Sequence, residues 1–153
     1  MPRCAASPVE MSTASRRMAG LLLLAMPTVV AGGASILAMI DDPAFRENEL
    51  RQDLWRAGHA HAGVLLVLSL VALRYVDEAQ LSPTARSFVR HSIPGAAILL
   101  PVAFFLSVTS ADATEPNALL SLAYLGAMLL TTGLITLGIG LVRPPPSSIN
   151  TGP

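Results

Sequence analysis

The chain has 153 residues, 52% of them hydrophobic and 13% charged, with a mean hydropathy of +0.58. A soluble domain is about one-quarter charged, so this balance places the chain among membrane proteins. The formal charge is zero, which gives no basis for nucleic-acid binding. The single cysteine, Cys4, allows neither an intramolecular disulfide nor a thiolate metal cluster.

Residues 1–15 are mixed and polar, with Pro2 and Pro8, and are expected to be disordered. Met11 offers a second translation start. Arg16 and Arg17 before an apolar run also fit the start of a signal peptide. Residues 18–40 carry no charge, however, and match the roughly 20 residues needed to span a bilayer. An uncleaved first helix is therefore expected, bent or loosened at Pro27 and Gly32-Gly33. Asp41 and Asp42 end it. Asp42 before Pro43 predicts a new helix start, with Asp as the cap and Pro in the first turn. Residues 44–56 are rich in charge, with Leu50, Leu54 and Trp55 on a narrow apolar side. They predict an amphipathic surface segment running into the second span, with Trp55, the only tryptophan, as its membrane anchor.

The second span is expected over residues 57–75 and the third over 89–109, with Pro94 and Pro101 inside it. The fourth is expected over 118–142. Gly126, Gly133 and Gly140 recur there every seven residues, a spacing of small residues that lets helices approach closely. The tail 144–153 opens on three consecutive prolines and is expected to be disordered. The expected fold is all-α, a four-helix transmembrane bundle spanning residues 16–143. Arg3, Arg16, Arg17, Arg74, Arg86, Arg90 and Arg143 fall on one side of it, and Arg46, Arg51 and Arg56 on the other. The positive-inside rule then places both termini in the cytoplasm, as in a multi-pass protein of the cell membrane.

Chemistry concentrates in His59-Ala60-His61-Ala62-Gly63, at the outer mouth of the second span. His91 falls at the inner end of the third, on the order of 20–30 Å away, which disfavours a three-histidine site. On a helix, His59 and His61 point about 200° apart. An extended segment would let the pair chelate Zn²⁺ or Cu²⁺. A helical one would give each imidazole its own centre. In that helical form His59-Ala60-His61-Ala62-Gly63 resembles the ligand helix of subunit I of the heme-copper oxidases and nitric oxide reductases. The resemblance implies heme binding, with His59 and His61 as axial ligands to hemes on opposite faces. The family's copper-binding histidines and its dozen-helix framework have no counterpart here, so the likeness points to heme and not to oxygen reduction. Met39, at the same depth, is the candidate second axial ligand.

A plainer reading stands beside it. The histidines would bond water, Asp53, or Ser107, Thr109 and Ser110 in the headgroup zone, while Gly58, Ala60, Ala62 and Gly63 serve helix packing. His91 beside Arg86 and Arg90 reads as an interfacial residue, or as part of a basic edge for anionic lipid headgroups. The sequence carries no recognisable catalytic motif. Two classes of function therefore follow. One is a heme- or metal-binding membrane protein in electron transfer, heme sensing or respiratory-complex assembly. The other is a structural membrane subunit without cofactor, packing through its glycine face in a homodimer or larger complex. A small transporter or channel is a third, with Ser69, Thr131, Thr132 and Thr136 as the candidates to line a path.

Overall fold

The computed structural model describes residues 10–144. The expected disorder of residues 1–9 and of 145–153 lies outside them. Four helices are long and apolar enough to cross a membrane, and the fold is an all-α four-helix bundle. Helix α1 spans Thr13–Met39, the one-turn α2 Pro43–Arg46, α3 Glu49–Tyr75 and α4 Pro83–Ser107. A 3-10 turn, Ala118–Ser121, leads into α5, Leu122–Val142.

Four of the starts have a local cause. Ser12, Asp42, Asn48 and Ser82 accept the backbone N–H of Ser15, Ala44, Arg51 and Ala85, and Pro43 and Pro83 occupy first turns where no N–H is needed. The expected start at Asp42-Pro43 is thus present. The surface segment that should run on from it is broken after one turn. Asn48 is the reason. Its side-chain oxygen caps α3, and its Nδ2 donates to the carbonyls of Ala111 and Ala113 across the end of the bundle. The remaining polar residues then form the first turns of α3 itself. At 27 residues, α1 and α3 are each about 40 Å long, more than a hydrocarbon core of roughly 30 Å requires.

The expected disorder of residues 1–15 does not extend to the last of them. Helix α1 starts at Thr13 and Ser15 is fully buried. The Ser12 N–H donates to Asp77 Oδ2 at 2.9 Å, and Arg90 reaches Asp77 Oδ1 at 3.1 Å and the Ser15 hydroxyl at 3.0 Å. Burial alone would push the Asp77 carboxyl up. The Ser12 N–H, the Ser15 and Ser12 hydroxyls and the Arg90 guanidinium outweigh it and hold the carboxyl below its ordinary value.

Helix α4 is the centre of the bundle. It packs on α3 along one side and α5 along another, while α1 leans chiefly on α3. Near the end carrying both termini, Ala72, Val76, Val89, Ile93 and Leu137 form one core cluster. Leu65, Ala96 and Leu100 form a second, and Leu22, Leu66 and Leu73 join α1 to α3. Leu21, Leu24 and Val30 of α1 remain exposed, as lipid-facing side chains are.

Gly126, Gly133 and Gly140 are an interface, but within the chain. A Cβ on Gly126 would stand 2.9 Å from Leu100 Cγ, one on Gly133 would meet Ser92 and Ile93, and one on Gly140 would stand 2.7 Å from Leu81. The face proposed for a partner is therefore covered by α4 and the loop before it.

Candidate functional site

The His-x-His stretch is helical throughout. The extended chelate that would grip one Zn²⁺ or Cu²⁺ between His59 and His61 is therefore not formed. Among the described residues no group of three or more His, Cys, Asp or Glu side chains is placed to hold an ion. The two imidazoles leave α3 on different sides, as a spacing of two dictates.

His59 faces α1. Its ring edge lies over Gly33, where an added Cβ would come within 3.0 Å of both Cε1 and Nε2, and its Nδ1 lies 3.8 Å from the same point on Gly32. The two glycines that promise a loosened helix in the sequence form the seat of an imidazole. A cleft of about 390 Å³ opens beside it, lined by Gly33, Ile36, Leu37, Ile40, Arg56 and His59. Met39 is half-buried at the end of α1 and is not among the residues lining that cleft.

His61 faces the other way. Its Nδ1–H donates to the Ala57 carbonyl at 2.7 Å, and its ring rests on Phe104 of α4 with centroids 5.1 Å apart. On this exposed side chain Nε2 has no protein partner, and in the neutral ring it is the nitrogen that holds the lone pair. A shallow cleft of about 160 Å³ beside it is lined by Ala60, Val64 and Leu65. The bonds to Asp53, Ser107, Thr109 or Ser110 suggested by the plainer reading are not formed. Ser107 bonds the Phe104 carbonyl and Ser110 bonds Asp112.

Trp55 stands at the same end, edge-on to Phe45 at 6.2 Å and to Phe105 at 5.3 Å. Phe45 is 1% exposed. An aromatic in an otherwise charged stretch was the signal that this segment folds back onto the bundle. Phe105 and Phe104 both press on Gly58, so Gly58 is small to admit α4. Phe104 as the brace of His61 has no signal in the sequence, because it depends on the α3–α4 register.

At the other end His91 donates from Nδ1 to the Ser87 carbonyl at 2.8 Å and lines an apolar cleft with Thr84, Ser87, Phe88, Ser92 and Leu129. Arg90 turns to Asp77, and Arg86 donates to the Ala79 carbonyl. The basic edge is therefore dispersed into the loop between α3 and α4. The hydroxyls suggested for a transport path are not brought together either. Ser69 is buried and bonds the Leu65 carbonyl, while Thr132 and Thr136 bond the carbonyls of Met128 and Thr132 on α5. Thr131 and Thr132 line an exposed apolar surface with Tyr124 and Met128. Comparison with known protein families, with curated proteins and with solved structures finds no match to this chain.

Proposed function

We propose that this is a multi-pass protein of the cell membrane, both termini cytoplasmic, that ligates heme through His61 near the outer boundary. Electron transfer, heme sensing and assembly of a respiratory complex are the roles such a site serves. The observation that carries the reading is the mounting of His61. Its Nδ1–H is fixed on a backbone carbonyl at 2.7 Å, its ring is braced by Phe104, and its Nε2 is left without a partner. Ligating histidines are held in this way, because the bond at one nitrogen sets the tautomer and aims the other. The orientation is supported by Arg16, Arg17, Arg74, Arg86, Arg90 and Arg143 at the end holding both termini, against Arg46, Arg51 and Arg56 at the other.

The fit to a porphyrin is partial. The cleft beside His61 holds about 160 Å³, below the roughly 300 Å³ at which small-molecule pockets begin. A planar group held by Nε2 would therefore be open on one side and would need a cover. A second copy across a two-fold axis would bring its own His61 to help hold the same group. Another membrane subunit is the alternative cover. Bound heme supplies a one-electron redox centre; the chain supplies the aimed imidazole and the apolar wall.

The test is the visible spectrum, oxidised and reduced, of protein purified from cells supplied with heme, for wild type, His61→Ala and His59→Ala. A Soret band lost in His61→Ala and retained in His59→Ala is expected. Loss in His59→Ala alone would move the site to the α1 side. A featureless wild-type spectrum with a blank metal analysis would leave the second reading, a membrane subunit without cofactor. The seating of His59 on Gly32 and Gly33 as a packing element favours that one.

A further inference from the structure

The cleft between α1 and α3 combines two features that the heme reading does not use. Its α1 wall is an apolar stripe, Gly33, Ile36, Leu37 and Ile40, at the spacing that lines one helix face. Its α3 wall presents Arg56 and His59, three residues apart, so that Arg56 lies about 4.5 Å farther toward the outer end. Arg56 is exposed and donates to Gln52 Oε1 at 2.8 Å, and no carboxylate lies within ion-pairing distance of it among the described residues. His59 makes no hydrogen bond there either, and its ring, resting on Gly33, forms part of the cleft wall. Asp41, Asp42 and Asp53 border this end of the bundle without lining the cleft.

We propose that this cleft seats an anionic phospholipid of the surrounding leaflet, its phosphate on Arg56 and His59 and one acyl chain along Ile36 and Leu37. The order of the groups matches the order in a lipid, charge at the membrane boundary and hydrocarbon beneath it. An unpaired guanidinium at the mouth, with an imidazole able to donate a hydrogen bond beneath it, complements a phosphate, and the guanidinium repels a cation. Basic pockets between spanning helices bind acidic headgroups for this reason. A volume of about 390 Å³ accommodates part of one chain, and the rest lies in the bilayer.

Trp55, the only tryptophan, is the residue before Arg56 and serves as the reporter. The protein is placed in phosphatidylcholine nanodiscs containing an equal small fraction of either brominated phosphatidylglycerol or brominated phosphatidylcholine. Its fluorescence is then followed. Phosphatidylglycerol is expected to quench preferentially, with an occupancy advantage of about fivefold, the worth of one basic residue beside an acidic lipid. Arg56→Gln removes the preference, Arg56→Lys keeps most of it, and Arg46→Gln, a change of the same charge away from the cleft, leaves it intact. Equal quenching by the two lipids overturns the proposal. So does a preference that survives Arg56→Gln, or one that Arg46→Gln lowers as much, since that is attraction to surface charge in general. Displacement of the quenching by a free fatty acid but not by unbrominated phosphatidylglycerol assigns the cleft to a different amphiphile and overturns it as well.

Discussion

Gly126→Ala and Gly138→Ala make the same chemical change on the same helix and should have opposite effects. Both glycines lie within α5, and replacing an interior helical glycine by alanine is worth about 1 kcal/mol in helix propensity. A Cβ on Gly138 meets nothing within 4 Å, so that gain is kept. A Cβ on Gly126 stands 2.9 Å from Leu100 Cγ, 3.3 Å from Leu99 Cβ and 3.3 Å from the backbone nitrogen of Leu100. The backbone contact cannot be relieved by a rotamer, so α4 and α5 must separate. Overpacking of this kind costs about 1–3 kcal/mol. Propensity cancels between the two variants, and the difference in their stabilities isolates that cost. Far-UV circular dichroism during unfolding by SDS in mixed micelles should place Gly126→Ala about 1–3 kcal/mol below Gly138→Ala. Equal stabilities would refute the close approach of α5 to α4 and return the glycine repeat to the outside of the bundle.

Asn48→Ala removes the cap of α3 and both bonds to the carbonyls of Ala111 and Ala113, and should cost about 1–2 kcal/mol in the same assay. Gly33→Ala and His59→Ala should be non-additive, because the new methyl displaces the imidazole only when the imidazole is present; a double-mutant cycle with no coupling would separate the two residues. The Asp77 carboxyl is held below its ordinary value of 3.8, so its contribution is complete above that value and is lost as pH falls through the lower folded one. Wild type should lose stability on acidification below about pH 4, and Asp77→Asn should lose less. Identical pH profiles would remove the Asp77–Arg90 network from the docking of α1.

The four spans were legible because an uncharged run of the right length admits few other structures in a membrane protein, and because Ser, Asp and Pro mark the helix starts. The divergence of His59 and His61 was legible for the same kind of reason, since it follows from helical geometry once α3 is known to be a helix. What was not legible depends on which helix meets which. Residues 10–15 look like polar tail until Asp77 and Arg90 are known to lie beside them. The glycine repeat announces close contact, but nothing in its spacing distinguishes α4 of the same chain from a partner. Met39 shares a depth with His59 in the sequence, yet depth fixes only one coordinate, and rotation about α1 leaves Met39 off the face that carries Gly33, Ile36 and Ile40.

The two histidines differ in what each leaves for a ligand. The Cε1–Nε2 edge of His59 is spent on Gly33, and a porphyrin could reach that nitrogen only if α1 moved away. Near its N-terminal end α1 is tied by the Ser12, Ser15, Asp77 and Arg90 bonds and by the packing of Leu22 against Leu66 and Leu73. Its C-terminal part, past Pro27, meets α3 through Val29 near Gly63 and through Gly32 and Gly33 beneath the imidazole. Moving it would cost the seat of His59 for every ligand gained there. His61 carries no such cost, because its bond to Ala57 and its contact with Phe104 both survive ligation at Nε2. The His-x-His pair thus divides on α3 into one imidazole that holds the bundle and one that remains free to bind. A heme carried on the second would need a cover that the described residues do not form.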